Sequence, residues 1–259
     1  MRKTALITGS SNGIGYELAK IHAEKGDNLI LVARRKEILD EFKLELEEKY
    51  KVDIYTIGKD LSLPGAALEV YDELKKQSIP VDYLINNAGI GDFGFFAESD
   101  WHKQEKMINL NVVTLTHLTR LLLPDMIKKG MGKIMNVAST ASFQPGPTMS
   151  VYFATKAYVL SFSEAVNNEV REKGITVTAL CPGSTESGFH SAAIDGRKQL
   201  KERNMPTARA VAEFGHKAMM KGKAIAIPGM KNTLMATLVR FFPRALIVKA
   251  VRRIQEKKF

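Results

Sequence analysis

Short apolar segments alternate with longer helical patterns along almost the whole chain, and this alternation is the strongest constraint on the fold. It predicts seven strands, at residues 4–8, 28–33, 52–57, 82–86, 133–138, 175–180 and 224–228. It also predicts helices at about residues 14–25, 36–49, 65–77, 100–129, 150–172 and 207–221. Most strand segments are continuously apolar, which is typical of strands buried on both faces of a parallel sheet. We therefore expect an α/β fold with a doubly wound parallel sheet of about seven strands and helices on both faces.

The formal net charge of the 259-residue chain is +10, and most of it lies at one end. Residues 231–259 contain eight lysines and arginines and one glutamate, a net charge of +7, so residues 1–230 carry only +3. A nucleic-acid-binding face needs cations interleaved with aromatic groups on a folded surface, and we expect no nucleic-acid partner. No repeat or linker divides residues 1–230, which predicts a single domain followed by a basic amphipathic C-terminal extension, residues 231–259.

Cysteine and histidine usage predicts a reducing compartment and no metal site. Cys181 is the only cysteine, which excludes an intramolecular disulfide, and the five histidines lack the spacing of metal ligands. The first ten residues contain too few apolar side chains for a signal peptide, and no run of 18 apolar residues occurs. We expect a cytoplasmic protein.

The segment after the first predicted strand, "TGSSNGIG" at residues 8–15, has the features of a dinucleotide-binding turn. Glycines there allow a tight turn and close approach of a pyrophosphate, which then faces the N-terminus of the next helix. The absence of Gly-Lys-Ser/Thr excludes a P-loop, and a plain glycine turn is the alternative. The predicted phosphate contacts are Gly9, Ser11, Asn12, Gly13, Ile14 and Gly15.

The ends of the later strands supply the other predicted cofactor contacts. After the second strand, Arg34 and Arg35 stand where an NAD site normally presents a carboxylate, and a guanidinium pairs with a 2′-phosphate, so NADP(H) is favoured over NAD. The alternative is that both arginines simply begin a surface helix. Further contacts are expected from Asp60 and Leu61 (adenine edge), from Asn87, Ala88 and Gly89, and from Pro182, Gly183 and Thr185 near the nicotinamide.

Tyr152 and Lys156 are four residues apart, so on a helix their side chains share one face. A lysine ammonium at that distance favours the phenolate and is expected to lower the pKa of the tyrosine. Spacing alone does not decide, because the chain repeats it at Tyr16/Lys20, Tyr55/Lys59 and Tyr71/Lys75. Ser139 lies just beyond a predicted strand, thirteen residues before Tyr152.

Taken together, these motifs resemble the short-chain dehydrogenase/reductase family. The chain has "TGxxxGIG" at 8–15, "NNAG" at 86–89, the asparagine of "NLNVVTLT" at Asn111, Ser139, "YxxxK" at 152–156 and "PG" at 182–183, in the family's order over residues 3 to about 230. Many members carry a threonine five residues after that proline. Here the position is Ser187, with Thr185 two residues earlier, and either hydroxyl is a candidate for the carboxamide.

The resemblance implies a Rossmann-like domain over residues 1–230 that binds NADP(H) and contains the catalytic site. It implies an oxidoreductase that interconverts a ketone and a secondary alcohol by hydride transfer. Ser139 is expected to hold the substrate oxygen, Tyr152 to act as general acid/base, Lys156 to bind the nicotinamide ribose, and Asn111 to anchor a water. A catalytically silent NADP-binding sensor or scaffold is the alternative, although such a protein typically loses the Ser/Tyr/Lys set.

Apolar side chains near the expected substrate position predict a lipophilic ketone or alcohol, such as a steroid-like or 3-oxoacyl compound. They lie in segments 91–96, 140–149 and 187–194 and include Phe93, Phe95, Phe143, Met149 and Phe189. The alternative is that some of them belong to the core.

The family resemblance also implies a homodimer or homotetramer. In the extension, Pro243 separates two helical patterns. The apolar stripe of the first contains Leu234, Met235, Leu238, Val239 and Phe242, and that of the second contains Leu246, Ile247, Ala250, Val251 and Ile254. Opposite the second stripe lie Lys249, Arg252, Arg253 and Lys257. Such helices either make peripheral contact with an anionic membrane or dock on the protein's own body or a neighbouring subunit.

Overall fold

The computed structural model describes residues 2–187 and 205–256, and the strands within them form one parallel sheet. The strands are β1 Thr4–Thr8, β2 Asn28–Ala33, β3 Ile54–Gly58, β4 Tyr83–Asn86, β5 Gly132–Val137, β6 Ile175–Leu180 and β7 Ile225–Ala226. Their order across the sheet is β3-β2-β1-β4-β5-β6-β7, with every neighbouring pair parallel. This confirms the predicted doubly wound fold, although β7 is shorter than the predicted residues 224–228.

The helices follow the predicted positions with one internal difference. They are α1 Gly13–Glu24, α2 Lys36–Tyr50, α3 Ala66–Lys76, α4 Trp101–Ile108, α5 Leu115–Lys129, α6 Ser150–Val170, α7 Ala208–Met220, α8 Met230–Leu238 and α9 Arg244–Glu256. The single helix predicted over residues 100–129 is divided into α4 and α5 by a π-helical segment, Asn109–Thr114.

Alternate residues of each strand supply two separate cores, one on each face of the sheet. On one face, Leu29 and Leu31 of β2 pack with residues of α1, α2 and α7. On the other face, Ile30 and Val32 pack with residues of α3, α5 and α6. All four side chains are almost fully buried, which explains why the segment is continuously apolar.

The strand order reverses at β1, which pairs with β2 on one side and with β4 on the other. Connections leave in opposite directions there and open a crevice beyond the carboxyl ends of the two strands. Ligands of open α/β sheets bind in this place. The glycine-containing turn after β1 and the "NNAG" segment after β4 both lie at its mouth.

The C-terminal helices α8 and α9 are separated at Pro243, as predicted. Only part of their apolar surface docks on the body of the protein. In α9, Ile247 is buried and Val251 packs against the cluster that contains Tyr152 and Phe153. The predicted stripe of α8, by contrast, is largely exposed. Throughout residues 2–187 and 205–256, none of the helices combines the length and hydrophobicity needed to span a bilayer.

Candidate active site

The turn between β1 and α1 is built so that only glycine is tolerated at Gly15. A Cβ atom there would lie 2.3 Å from Asn87 Nδ2 and 2.4 Å from the Gly9 carbonyl oxygen. Gly9 and Gly13 have φ angles of +67° and +57°, which favour glycine. Asn12 precedes α1 but its side chain makes no capping hydrogen bond. The first N–H groups of α1 therefore remain available to an anion.

Thr8 and Asn87 fasten this turn to the end of β4. The Thr8 hydroxyl accepts hydrogen bonds from the backbone N–H groups of Asn87 and Ala88, both at 3.0 Å. Asn87 Nδ2 donates in return to the carbonyls of Thr8 (2.9 Å) and Gly9 (3.1 Å). Sequence reasoning assigned Asn87 to the cofactor and gave Thr8 no role. The available signal was a threonine ending a buried strand directly before a glycine turn.

Arg34, Arg35 and Asp60 lie at the carboxyl ends of β2 and β3, as predicted. Both arginines are exposed. Burial acts to raise the pKa of Asp60, but hydrogen bonds from the Ser62 hydroxyl (2.7 Å) and N–H (3.0 Å), with the positive charge of Arg34, hold it below its usual value. The Leu61 side chain lies in the core. The predicted contact of Leu61 with adenine is therefore limited to its backbone.

Asn111 lies in the π-helical segment between α4 and α5, and its amide is fixed on both sides. Asn111 Nδ2 donates to the Ile90 carbonyl (2.9 Å) and to the Thr155 hydroxyl (3.1 Å), and Asn111 Oδ1 accepts from the Ile90 N–H (3.0 Å). π-helical turns inside α-helices occur frequently at functional sites. This segment ties the α4–α5 helix to the loop after β4 and to α6.

Ser139 follows β5 and Tyr152 lies in the first turn of α6. The Ser139 hydroxyl accepts from the Ala141 N–H (3.1 Å) and donates to the Pro182 carbonyl (3.4 Å). Burial raises the pKa of Tyr152 to about 12, and a hydrogen bond with Ser139 opposes that rise. The serine and the tyrosine are thus direct neighbours.

Lys156 completes the group from the next turn of α6. Lys156 Nζ donates to the Val137 carbonyl (2.8 Å) and lies 5.9 Å from the centre of the Tyr152 ring. Burial lowers the pKa of this ammonium to about 8. A Cβ atom on Gly89 would lie 3.2 Å from Asn111 Oδ1 and 3.3 Å from Lys156 Nζ, so the end of β4 borders the same crevice.

The expected direction of the Tyr152 shift is wrong for the protein alone. The phenol is removed from water on α6, and this loss of hydration outweighs any effect of the lysine, whose ammonium donates to the backbone of β5. Within the residues that the structure describes, no group lowers the phenol pKa enough to offset this loss of hydration.

The three other tyrosine–lysine pairs make stacking, hydrogen-bond and ion-pair contacts that support the fold. Tyr16 stacks on Phe42 with ring centres 4.1 Å apart, and Tyr55 donates to Glu73 (2.9 Å). Lys75 Nζ lies 5.2 Å from the Tyr71 ring centre, and its pKa is raised by a hydrogen bond to Asp125. Burial lowers the pKa of Lys156, by contrast.

The "PG" turn after β6 closes the crevice from the far side. The Pro182 carbonyl accepts from the Thr140 N–H (2.9 Å), and a Cβ on Gly183 would lie 2.9 Å from Asn232 Nδ2 of α8. Thr185 is buried and donates to the Gly183 carbonyl (3.0 Å). The Ser187 side chain instead borders Gly13. Asn232, which sequence reasoning missed, lies against this turn, and its Nδ2 donates to the Pro228 carbonyl (2.7 Å).

The structure brings only some of the predicted substrate-side residues to Tyr152. Met149 packs against the Tyr152 cluster, together with Val251 of α9. Phe143 instead packs near Leu115 and Val159 and is not part of that cluster. Phe95 is half exposed. Phe93 is partly buried. Phe189, with the rest of residues 188–194, lies outside the described residues.

Comparison with known proteins identifies the family. The sequence profile described as "short chain dehydrogenase" matches residues 3–231. The chain belongs to this family. This confirms the resemblance drawn from the motifs, and the family members named below include reductases and alcohol dehydrogenases acting on carbonyl or CH–OH groups.

Among curated relatives of this short-chain dehydrogenase, the human "Very-long-chain 3-oxoacyl-CoA reductase" is 33% identical over 184 residues, 69% of this chain. The match spans only 58% of that relative's length. Among solved structures, a short-chain dehydrogenase from Sphingobium yanoikuyae in complex with NADPH is 30% identical, with a TM-score of 0.81 over 94% of this chain and 97% of the other. A bulky-bulky ketone specific alcohol dehydrogenase from Comamonas testosteroni is 31% identical, with a TM-score of 0.79 over 92% of each chain.

Proposed function

We propose that this protein is an oxidoreductase that interconverts a ketone and a secondary alcohol with a nicotinamide dinucleotide. The observation that carries the proposal is the buried group of Ser139, Tyr152 and Lys156 at the crevice where the strand order reverses. The Ser139 hydroxyl is hydrogen-bonded to the Tyr152 phenol, and the Lys156 ammonium lies 5.9 Å from the centre of the Tyr152 ring. The glycine turn, whose helix has no side-chain N-cap, lies across the crevice.

The residues of the crevice fit such a cofactor. The turn at Gly9, Gly13 and Gly15 has no room for side chains at Gly9 and Gly15, and the buried Ser10 hydroxyl has no hydrogen-bond partner within the described chain. The N-terminus of α1 would hold the phosphates, and Asp60 lies at the adenine end. When bound, the nicotinamide supplies or accepts the hydride. Lys156 and Asn111 lie next to Gly89, on the side of the crevice opposite the N-terminus of α1.

The chain's own residues would handle the proton. Ser139 holds the substrate oxygen by a hydrogen bond, and Tyr152 donates a proton to it in reduction or removes one in oxidation. Ionising a phenol of pKa about 12 at pH 7 requires about 7 kcal/mol. This environment therefore favours the protonated tyrosine, which is the form that reduction requires.

We propose NADP(H) as the preferred cofactor because β2 ends in Ala33 and the exposed Arg34, with no carboxylate to repel a 2′-phosphate. NADPH is present in the related Sphingobium structure. Arg34 is also close enough to Asp60 to lower the pKa of that carboxyl, which supports a role for its charge at the adenosine end of the crevice.

The substrate is proposed to be a lipophilic ketone or alcohol, of the 3-oxoacyl or bulky-ketone class. Met149 and Val251 provide apolar contacts beside Tyr152. The human relative is named for a 3-oxoacyl-CoA and the Comamonas structure for bulky ketones, which supports the same class. A cytoplasmic location is proposed with it, on the absence of any possible intramolecular disulfide in a chain with one cysteine, the buried Cys181.

The test is turnover of a panel of ketones and alcohols with NADPH and NADH (or their oxidised forms), followed by the absorbance of the reduced nicotinamide. Tyr152→Phe is expected to reduce turnover by at least about a hundredfold, as loss of a general acid does, while cofactor still binds. Tyr16→Phe and Tyr71→Phe are the matched controls and should retain activity. Cofactor binding without turnover of any substrate by the unmodified protein would instead indicate a silent sensor.

A further inference from the structure

The side of α8 that faces away from the protein is apolar. Met230, Leu234, Met235 and Leu238 are between 42% and 91% exposed, and Phe241 just beyond the helix is 76% exposed. The opposite side faces the body: Ala236 is buried, and the exposed Thr233 and Thr237 line a groove of about 370 Å³ beside β7. The orientation of α8 is thus fixed by its inner side, which leaves the apolar side to solvent.

This exposed surface continues beyond α8 into the start of α9. Phe242 and Leu246 are each 56% exposed. We call the whole set the C-terminal apolar surface; its members are Met230, Leu234, Met235, Leu238, Phe241, Phe242 and Leu246. Contiguous apolar surface of this kind is uncommon on soluble proteins and marks an interaction site.

Unpaired cations accompany the surface. Residues 230–256 contain six basic side chains, Lys231, Arg240, Arg244, Lys249, Arg252 and Arg253, and one acidic side chain, Glu256. Glu256 pairs with Arg252 at 2.7 Å. The other five cations form no ion pair with any residue that the structure describes, so a partner for this surface has to accept both apolar groups and positive charge.

A second copy of the same surface does not meet this requirement. An isologous contact would bring five unpaired cations towards the same five on the other copy, and like charges repel. An anionic bilayer meets both needs, because its acyl boundary receives the leucine and phenylalanine side chains while its headgroups receive the lysines and arginines. We propose that the C-terminal apolar surface docks on an anionic lipid bilayer and lies in its interface without crossing it.

Sedimentation with vesicles tests this directly and does not depend on the proposed reductase activity. The unmodified protein should bind vesicles of phosphatidylcholine and phosphatidylglycerol, bind much less to pure phosphatidylcholine, and release as salt is raised. Leu234→Gln/Leu238→Gln/Phe241→Gln should weaken the partition by more than about tenfold, because their apolar area no longer enters the acyl boundary. Arg244→Gln/Lys249→Gln should weaken it by about thirtyfold at low salt.

Matched controls are available elsewhere on the surface. Leu44→Gln/Leu63→Gln/Leu68→Gln removes three leucines of similar exposure, 67%, 48% and 43%, and should leave vesicle binding unchanged. Lys128→Gln/Lys173→Gln removes two exposed cations and should likewise leave vesicle binding unchanged. The proposal is overturned if the protein binds neither vesicle type, if it binds both equally, or if the controls weaken binding as much. It is also overturned if the Leu/Phe triple variant converts an oligomer into a smaller species by light scattering, since the surface is then a contact between copies.

Discussion

The burial of Lys156 sets the electrostatics of the crevice at the scale of single residues. Its ammonium is 4% exposed and has one hydrogen-bond acceptor, the Val137 carbonyl. Loss of hydration lowers the pKa to about 8 from 10.5. A group held this way is poorly suited to a purely structural role, because the folded state has to accommodate a charge that water would solvate better.

The pH dependence of stability follows from this shift. Below pH 8 Lys156 is charged in both states, and the folded state carries the whole unfavourable energy, about 3 kcal/mol. Between pH 8 and 10.5 the unfolded state binds more protons, so the free energy of unfolding rises with pH.

Lys156→Met should raise the free energy of unfolding at pH 7 and reduce its slope with pH, as measured by urea unfolding. Lys128→Met, at an exposed lysine, should do neither. An unchanged slope in Lys156→Met contradicts the assignment.

Cofactor choice is also a residue-scale property. Loss of a charge-assisted hydrogen bond costs about 1.5–3 kcal/mol, so Arg34→Ala should weaken NADPH binding about ten- to a hundredfold and leave NADH binding nearly unchanged. Titration of both cofactors by fluorescence measures this. Arg35→Ala, next along the chain and equally exposed, tells which arginine acts. Equal losses for NADH and NADPH in Arg34→Ala would remove the basis of the proposal.

The proximity of Ser139, Tyr152 and Lys156 was predictable from sequence because each of them occupies a fixed place relative to a strand or a helix turn. Ser139 ends a strand, and Tyr152 and Lys156 share one face of a helix. The direction of the Tyr152 pKa shift was not predictable, because it depends on how many atoms surround the phenol. That number comes from packing of Met149, Phe153 and Val251, which no local pattern encodes.

At the scale of elements, the junction of β1, α1 and β4 leaves no room for an added side chain at Gly15. Gly15→Ala would place its Cβ against Asn87 Nδ2 and the Gly9 backbone. Overpacking of this kind costs about 1–3 kcal/mol and displaces the turn, so both the Tm and cofactor affinity should fall. Gly26→Ala, beyond the other end of α1, meets no atom within 4 Å and has a φ of +81°. Gly26→Ala should lower only the Tm, through backbone strain. Normal cofactor affinity in Gly15→Ala would contradict this account.

Element boundaries show what periodicity does and does not encode. Strands β1 and β2 begin and end where the apolar runs do, because both faces of a central parallel strand are buried. The π-helical segment at Asn109–Thr114 was not predictable, since its residues continue the helical pattern on both sides. It arises from the tertiary bonds of Asn111 to Ile90 and Thr155.

At the scale of the whole molecule, we propose assembly into a homodimer or homotetramer through the helices that follow β4 and β5. Val113 is 50% exposed, and the neighbouring Tyr158, linked to Thr116 by a 3.1 Å hydrogen bond, is 40% exposed. Light scattering at micromolar concentration should give a multiple of 28.8 kDa. Val113→Arg/Tyr158→Arg should lower that mass, while Leu44→Arg should not. A monomeric unmodified protein contradicts the proposal.

The architecture of the whole molecule was largely predictable, and the placement of its C-terminal extension was not. Alternation of strands and helices allows few topologies, because crossover connections are right-handed. The stripes of α8 and α9 were visible in the sequence, but amphipathicity alone does not tell which stripe docks. In the structure, part of the α9 stripe docks on the body, where Ile247 is buried, whereas the α8 stripe stays exposed at Leu234.

Helix α9 joins two regions that would otherwise vary independently. Its inner side places Val251 in the Tyr152 cluster and Gln255 beside Met149, while its outer side carries cations such as Lys249 and Arg253. A shortened protein lacking this helix would lose packing beside Tyr152 together with its charged exterior. For the same reason, chimaeras that exchange Arg244–Glu256 between relatives should change two properties together, the apolar contacts beside Tyr152 and the charge of the outer surface.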